Sequence, residues 1–412
     1  MTVAARLPGT HSGAGDAAPR YNGSYRAGVI GHTGRGGFSH GLDVAFLGLP
    51  GVELVAVADP DEAGRAAAVS RTGAACVYAD YVEMLGRERP ELVAVAPSDL
   101  DQREAMVIAA AESGARAIYC EKPLARSLDE ADRMLAACAA RGVKLTVAHQ
   151  NRGMPAPRLV QRLIAGGNIG TLRRLRAWPK QDSRGGGLEL LIHGTHMFDL
   201  MRLFAGDARW CHARVTSGGR DVTAADAAPA QHAAGLMAGD DVAAEYGFGG
   251  AVTGHFESMR SDDGGGSAYL RMEVSGSAGT LAFWSDQASP VYFSPRAYPL
   301  PQMQDAPGEW QRLDCEVPAG PLLEEGRSTL HPGNQWLVSD LLAAVEEDRA
   351  PHASGEDARG AMEMALAAYE SHLRGGRVEL PLERREHPLE RPLQDERAQN
   401  EAARMAREVV RS

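Results

Sequence analysis

Over the first 150 residues, short unbroken apolar runs alternate with longer stretches of helical periodicity. The runs at 27–30, 52–58, 92–96, 117–120 and 143–148 are too short for helices and lack the alternation of a half-exposed strand. They read as strands buried on both faces. Segments 61–72, 81–86, 101–113 and 127–141 between them carry the helical spacing, and a short strand is expected at 76–78. Ser127 followed by Glu130 is a capping box. This alternation predicts a doubly wound parallel sheet, whose ligands bind at the carboxyl ends of the strands.

From Pro155 the pattern changes. A helix to 164 stops at Gly166-Gly167, a strand follows at 172–178, and a glycine-rich loop leads into a helix reaching about 204. Strands near 208–215, 242–248, 251–257, 269–276 and 280–284 then alternate apolar and polar positions between glycine-rich turns such as Asp262-Asp263-Gly264-Gly265-Gly266. That is the mark of an open, mainly antiparallel sheet with one wet face. Helices at 334–347 and 356–374 follow. The expected organisation is a flexible tail over 1–26, a parallel α/β domain over 27–150, a second α/β domain over 151–382, and a charged tail over 383–412 with a helix at 396–410.

Composition narrows the class. A chain of 412 residues is long enough for two cores, and 44% hydrophobic with 24% charged residues is ordinary for a globular protein. The net charge of −11 argues against nucleic acid and anionic membranes. No apolar run approaches the roughly 18 residues of a membrane span. Residues 1–26 lack an apolar signal core, and the five cysteines are odd in number and never spaced CxxC, so a reducing cytoplasm is expected.

The chemistry begins where the first strand runs into Gly31-His32-Thr33-Gly34-Arg35-Gly36-Gly37. Such a turn allows close backbone approach, and a helix opening after Phe38 would aim free amides at an anion. The second strand ends on Asp59, where a dinucleotide fold keeps an acid for the adenosine ribose; an acid there favours NAD over NADP. The fingerprint is irregular: Thr33 replaces the second glycine, and Gly31 and Asp59 lie further apart than the usual spacing of about 20. Pro97-Ser98, Glu121-Lys122-Pro123 and His149-Gln150-Asn151-Arg152 all fall at strand ends and so line one crevice. Lys122 is either a positioned proton carrier or a surface lysine after a strand. Glu189, His193 and His196, four and three apart, share one helical face. They form a proton relay, a set of satisfied polar groups, or an ExxxHxxH metal site, and no further ligand is evident for a metal.

Taken together, the nucleotide turn, Ala58-Asp59, Glu121-Lys122-Pro123-Leu124, Asn151-Arg152 with Pro155, Gly185-Gly186-Gly187 and Gly194-x-His196-xx-Asp199 resemble a known family over residues 27 to 375. It is the oxidoreductase family of glucose–fructose oxidoreductase, inositol dehydrogenase and the rhizopine-catabolism protein. The resemblance implies a Rossmann domain, an α/β domain whose sheet makes subunit contacts, and hydride transfer between NAD(P) and a carbinol of a sugar, cyclitol or polyol. It implies Lys122 and His196 at the reacting hydroxyl. Many members carry an aspartate where this chain has Ile192, so His193, oriented by Glu189, is the expected substitute. Gly31, Thr33, Gly34, Arg35, Gly36, Asp59, Pro97, Ser98, Glu121 and Lys122 are the expected cofactor contacts. Lys122, His149, Asn151, Arg152, His193 and His196 are the expected substrate contacts. A cytoplasmic homodimer or homotetramer is implied. The rival readings are a redox-neutral sugar enzyme with tightly held NAD, and a sugar sensor that has lost catalysis.

Overall fold

The computed structural model describes residues 18–231, 234–261, 270–285, 289–299, 310–315 and 330–390. The expected helix at 396–410 and the turn 262–266 lie outside the described residues.

Strands β1 (Tyr25–Ile30), β2 (Val52–Ala58), β3 (Cys76–Tyr78), β4 (Leu92–Val95), β5 (Ala117–Cys120) and β6 (Lys144–Val147) form one sheet in the order β3-β2-β1-β4-β5-β6. Every neighbouring pair is parallel. All residues of β4 and β5 are buried, which is why these strands are written as continuous apolar runs. Helices α1 (Glu62–Thr72), α2 (Tyr81–Glu88), α3 (Arg103–Glu112) and α4 (Leu128–Ala140) connect them, with Asp61 and Ser127 accepting first-turn amides of α1 and α4. Met84, Met106, Val107 and Met134 cover one face of the sheet.

The helix expected after Phe38 is absent. A single 3-10 turn, Ser39–Gly41, is followed by further tight turns, with Leu42 donating to Ser39 and Val44 to Gly41. Positive φ at His40, Gly41 and Gly48 breaks any helical run. The tail expected to extend to 26 also ends earlier: the Asn22 and Gly23 amides donate to Glu346, and β1 opens at Tyr25.

The second half contains α5 (Pro155–Ala165), β7 (Leu172–Trp178), α6 (Gly187–Ile192), α7 (Gly194–Ala205) and β8 (Trp210–Ser217). The two-residue strands β9 (Arg220–Asp221), β10 (Ala228–Pro229) and β11 (Leu236–Met237) follow. Then come β12 (Asp241–Gly247), β13 (Thr253–Met259), β14 (Arg271–Gly276), β15 (Thr280–Trp284), β16 (Val291–Ser294), β17 (Gln311–Leu313), α8 (His331–Glu347), α9 (Gly355–Arg374) and β18 (Val378–Glu379). The large sheet runs β17-β16-β15-β14-β7-β13-β12-β8-β18, with β9 on β8. Its one parallel pair among the described residues is β7 with β13; the rest are antiparallel. Helices α7 and α9 close one face, where Phe198 packs on Tyr246 and Phe256 at 5.2 and 4.8 Å. The opposite face holds an open hollow lined by Trp284, Tyr292, Tyr298 and Trp310, with Arg271 beside it and stacked on Trp178 at 5.1 Å.

Helix α8 returns to the first sheet. Its Leu337, Val338, Leu341 and Leu342 pack with Tyr25, Ala27, Val29, Leu92, Ala94 and Tyr119 on the face that Leu42 and Phe46 share.

Candidate active site

The carboxyl ends of β5 and β6 meet the α6–α7 junction through Lys122 on Ile192 and His149 on His196, and the strand order reverses between β1 and β4, which is where such folds place a ligand. The glycine turn closes on itself, with Gly37 N donating to His32 O at 2.9 Å and Arg35 N to the same oxygen at 3.0 Å. Gly36 has φ of +85°, and a Cβ there would stand 2.0 Å from Ser98 Oγ and 2.6 Å from Ser98 N. Only glycine permits this approach of turn to strand end.

Asp59 is turned onto Thr33 of the glycine turn. It is fully buried, and its carboxyl accepts Thr33 N (2.9 and 3.1 Å), Thr33 Oγ1 (2.9 Å) and Asp61 N (2.9 Å). These three donors tie the carboxyl to the turn, so Asp59 holds the turn in place. Thr33, in the usual glycine position, makes that link. Arg35 reaches across to Asp101 at 2.6 Å, and the Pro97 carbonyl accepts from Arg103.

Arg103, not foreseen from the sequence, is buried under the strand ends. It donates to the carbonyls of Pro97, Glu121 and Pro123, tying β4 to the Glu121-Lys122-Pro123 segment. Glu121 is buried, and its Oε1 meets His40 Nδ1 at 2.7 Å. Burial raises the affinity of Glu121 for a proton, but His40, Lys122 and Arg103 outweigh it and hold the carboxyl below its usual range. His40 was also missed; the helix expected around it would have pointed it elsewhere. The Lys122–Pro123 bond is cis.

Lys122 is buried and donates from Nζ to the Ile192 carbonyl at 3.1 Å. Burial lowers its pKa, Glu121 pulls it back, and Lys180, Arg184 and Arg103 push it down again; the net shift is downward. Ile192, which brings no side-chain acid, thus contributes its backbone oxygen.

The single helix expected to carry Glu189, His193 and His196 is two. It breaks at His193 between α6 and α7, where His196 N bonds back to His193 O at 3.0 Å. Glu189 nevertheless contacts His193, Oε1 to Nδ1 at 3.2 Å. The Glu189 carboxyl is fixed by Lys180 N (2.6 Å), Gln181 N (3.0 Å) and Ser258 Oγ (2.8 Å), and burial raises its pKa. His193 and His196 are held well below the usual histidine range, by burial first and then by Lys122. Both rings are neutral near pH 7. His196 packs edge-on against His149 at 5.3 Å, and its Nδ1 has no hydrogen-bond partner among the described residues.

Arg152 and Asn151 both bond to other side chains of the second half. Arg152 Nε donates to Asp199 Oδ2 at 2.6 Å and Nη1 to Asp357 Oδ2 at 3.1 Å, in a clamp between α7 and α9 in which Arg152 and Asp199 are buried and Asp357 reaches the surface. Asn151 donates to Ser285 Oγ at 2.8 Å. His149 stays at the crevice, 3.5 Å from Asp199. The Gly185-Gly186-Gly187 loop is packing rather than lining: added Cβ atoms would strike Met259 O, the Asp240 backbone and Ala238 O.

Comparison with known proteins agrees with this geometry. The family model described as oxidoreductase family, NAD-binding Rossmann fold, matches residues 25–149, and that of the same family's C-terminal alpha/beta domain matches 167–380. The chain belongs to this oxidoreductase family. The family's D-apiose dehydrogenase from Paraburkholderia graminis is 37% identical over 138 residues, 34% of this chain and 36% of that protein. Inositol 2-dehydrogenase from Rubrobacter xylanophilus is 32% identical over 182 residues, 43% of this chain and 51% of the relative. The chain therefore spans about half or less of these two relatives. The oxidoreductase domain protein from Kribbella flavida superposes with a TM-score of 0.68 at 26% identity, covering 88% of this chain and 100% of that one. The residues present fit the family's NAD: the Gly34 and Gly37 positions are open on the Cβ side, and Glu121 Oε2 is a buried acceptor with no partner among the described residues. Among the described residues no helix is long and apolar enough to cross a membrane.

Proposed function

We propose that the protein is an NAD-dependent dehydrogenase acting on a carbinol of a sugar, cyclitol or related polyol. The observation that carries this reading is Lys122, buried at the end of β5 with its pKa lowered, beside two neutral histidines in the switch-point crevice. The glycine turn 31–37, Ser98 and Glu121 would hold the cofactor, with Asp59 acting through the turn. When bound, NAD supplies the hydride acceptor.

The chain's own residues then handle the proton and the alignment. Lys122, as the amine, takes the hydroxyl proton as the carbinol C–H is lost, and the Ile192 carbonyl steers its Nζ. His196 lies on the substrate side and donates or accepts one hydrogen bond to the same oxygen. His193 gives Nδ1–H to Glu189 and so offers Nε2 as the next acceptor, which supplies the relay that an aspartate at 192 would have supplied. The relatives' names, D-apiose and inositol dehydrogenase, support the substrate range. The aromatic open face of the large sheet is the surface we assign to subunit contact, and the buried thiols of Cys120, Cys138 and Cys211 accord with a reducing cytoplasm.

The test is absorbance at 340 nm with NAD across inositols, aldoses, sugar acids and disaccharides. Reduction that disappears in Lys122→Ala is expected. No reduction with any compound, while NAD still raises the melting temperature, would overturn the reading.

A further inference from the structure

The glycine turn occupies the place of a pyrophosphate cradle but lacks the element that usually charges one. In a dinucleotide fold the pyrophosphate sits at the N-terminus of the helix that follows the first strand. Here that helix is absent, and Ser39–Gly41 is a single 3-10 turn. The turn also uses much of its own backbone. Thr33 N is bonded to Asp59 at 2.9 Å, and Arg35 N and Gly37 N both donate to His32 O, at 3.0 and 2.9 Å. A doubly charged group bound there therefore needs a cation from a side chain.

Arg35 is the one lysine or arginine between Arg26 and Arg65. Its guanidinium meets the segment that leaves β4, with Nη1 2.6 Å from Asp101 Oδ2 and 4.0 Å from Asp99 Oδ1, and its carbonyl accepts from Asp99 N at 3.3 Å. Beside it, Gly36 packs on Ser98, so the turn and the end of β4 form one wall of the crevice. Arg65, Arg103 and Lys122, the cations at the neighbouring strand ends, all donate to backbone carbonyls: Arg65 to Asp59 and Pro60, Arg103 to Pro97, Glu121 and Pro123, Lys122 to Ile192. The Arg35–Asp101 pair is of another kind. Both side chains are 43% exposed, so water screens their attraction and little is lost when they part. Asp101 is not stranded by the loss, because Arg126 Nη1 lies 3.4 Å from its Oδ1.

We propose that Arg35 is an exchangeable anion clamp, resting on Asp101 in the free protein and moving to the cofactor's pyrophosphate when NAD binds. It supplies the charge that a helix end supplies in the ordinary fold. This rests on the NAD-dependent reading of the site. Asp101 is then a competitor for the guanidinium, which fixes the sign of two substitutions. Removing Arg35 weakens cofactor binding, and removing the Asp101 charge strengthens it only while Arg35 is present.

The experiment measures dissociation constants of NADH, by its fluorescence, and of ADP-ribose, by titration calorimetry, on the full chain. ADP-ribose carries the pyrophosphate without the nicotinamide. Arg35→Gln should weaken both ligands by at least about tenfold, the loss of one charge-assisted contact, and Arg35→Lys by less. Asp101→Asn should tighten both by about two- to fivefold, as an exposed pair implies, and should do nothing in the Arg35→Gln background. Without ligand, the melting temperatures should agree within about 2 °C. A larger fall in Arg35→Gln would make Arg35 a structural part of the turn and overturn the inference. Unchanged affinity in Arg35→Gln, a loss confined to NADH, or a gain from Asp101→Asn that persists without Arg35 also overturns it, and leaves the dehydrogenase reading standing. A wild type that binds neither ligand overturns both.

Discussion

Arg152→Met asks whether the guanidinium after β6 belongs to the crevice or to the frame behind it. The side chain is 4% exposed, and its partner Asp199 is 1% exposed. Methionine keeps most of the stem but strands Asp199 as a buried acid facing only His149 at 3.5 Å. Breaking a buried pair from one side costs roughly 3–5 kcal/mol. At about 2 °C per kcal/mol for a chain of this size, the melting temperature should fall by roughly 6–10 °C at pH 7. The pH dependence follows from the acid. In the wild type, burial raises the Asp199 pKa, but Arg152 and His149 outweigh it and hold the carboxyl well below the usual range. A depressed folded-state pKa gives stability that is complete above the unfolded value of about 4 and is lost as pH falls below it. Without Arg152, burial dominates, Asp199 binds its proton earlier, and the deficit of the variant should narrow as pH drops from 7 toward 4. Melting curves of wild type, Arg152→Met and Arg152→Met/Asp199→Leu over pH 4–8 measure this, and the double variant should recover part of the loss. A melting temperature at pH 7 within about 2 °C of wild type, joined to a raised KM, would refute the clamp and return Arg152 to the substrate.

Three further outcomes are expected. Gly36→Ala, at positive φ and against the Ser98 backbone, should destabilise by at least about 1–2 kcal/mol and abolish the thermal shift produced by NAD; an intact shift would count against the turn as the cofactor cradle. The rate of carbinol oxidation should rise with pH to a plateau reached below the ordinary lysine value of about 10.4, because the proposed base, Lys122, has its pKa lowered; a rising limb unchanged in Lys122→Ala would assign that titration elsewhere. His193→Ala and Glu189→Gln should each lower kcat by about 10²-fold while the NAD thermal shift persists, and unchanged turnover in both would remove the relay.

The parallel sheet was legible because β4 and β5 are buried on both faces and leave unbroken apolar runs. The alternating strands β12 and β13 were legible from their single buried face. What stayed hidden depends on distant contacts. The direction of Arg152 is set by partners 47 and 205 residues away, which no local pattern records. Asp59 was read from its place after β2, but its bonds to Thr33, 26 residues away, leave no local mark. The 4-and-3 spacing correctly joined Glu189 to His193 yet could not show the break before Gly194. His40 sits in an irregular turn, where residue type alone does not distinguish a partner of a buried acid from a solvated histidine.

Helix α8 imposes an order on synthesis. The six strands of the first sheet are complete at Val147, but Leu337, Leu341 and Leu342 are needed to cover Tyr25, Ala27, Ala94 and Tyr119. At about 5–20 residues per second, a ribosome takes on the order of 10–40 s to deliver them. During that interval the nascent nucleotide domain presents an incomplete apolar face, and Asn334 has not yet arrived to join the Tyr119 hydroxyl to the His40 carbonyl. A fragment ending before residue 330 should therefore bind hydrophobic dyes and chaperones, while a fragment rejoined to a synthetic 330–350 helix should bind them less.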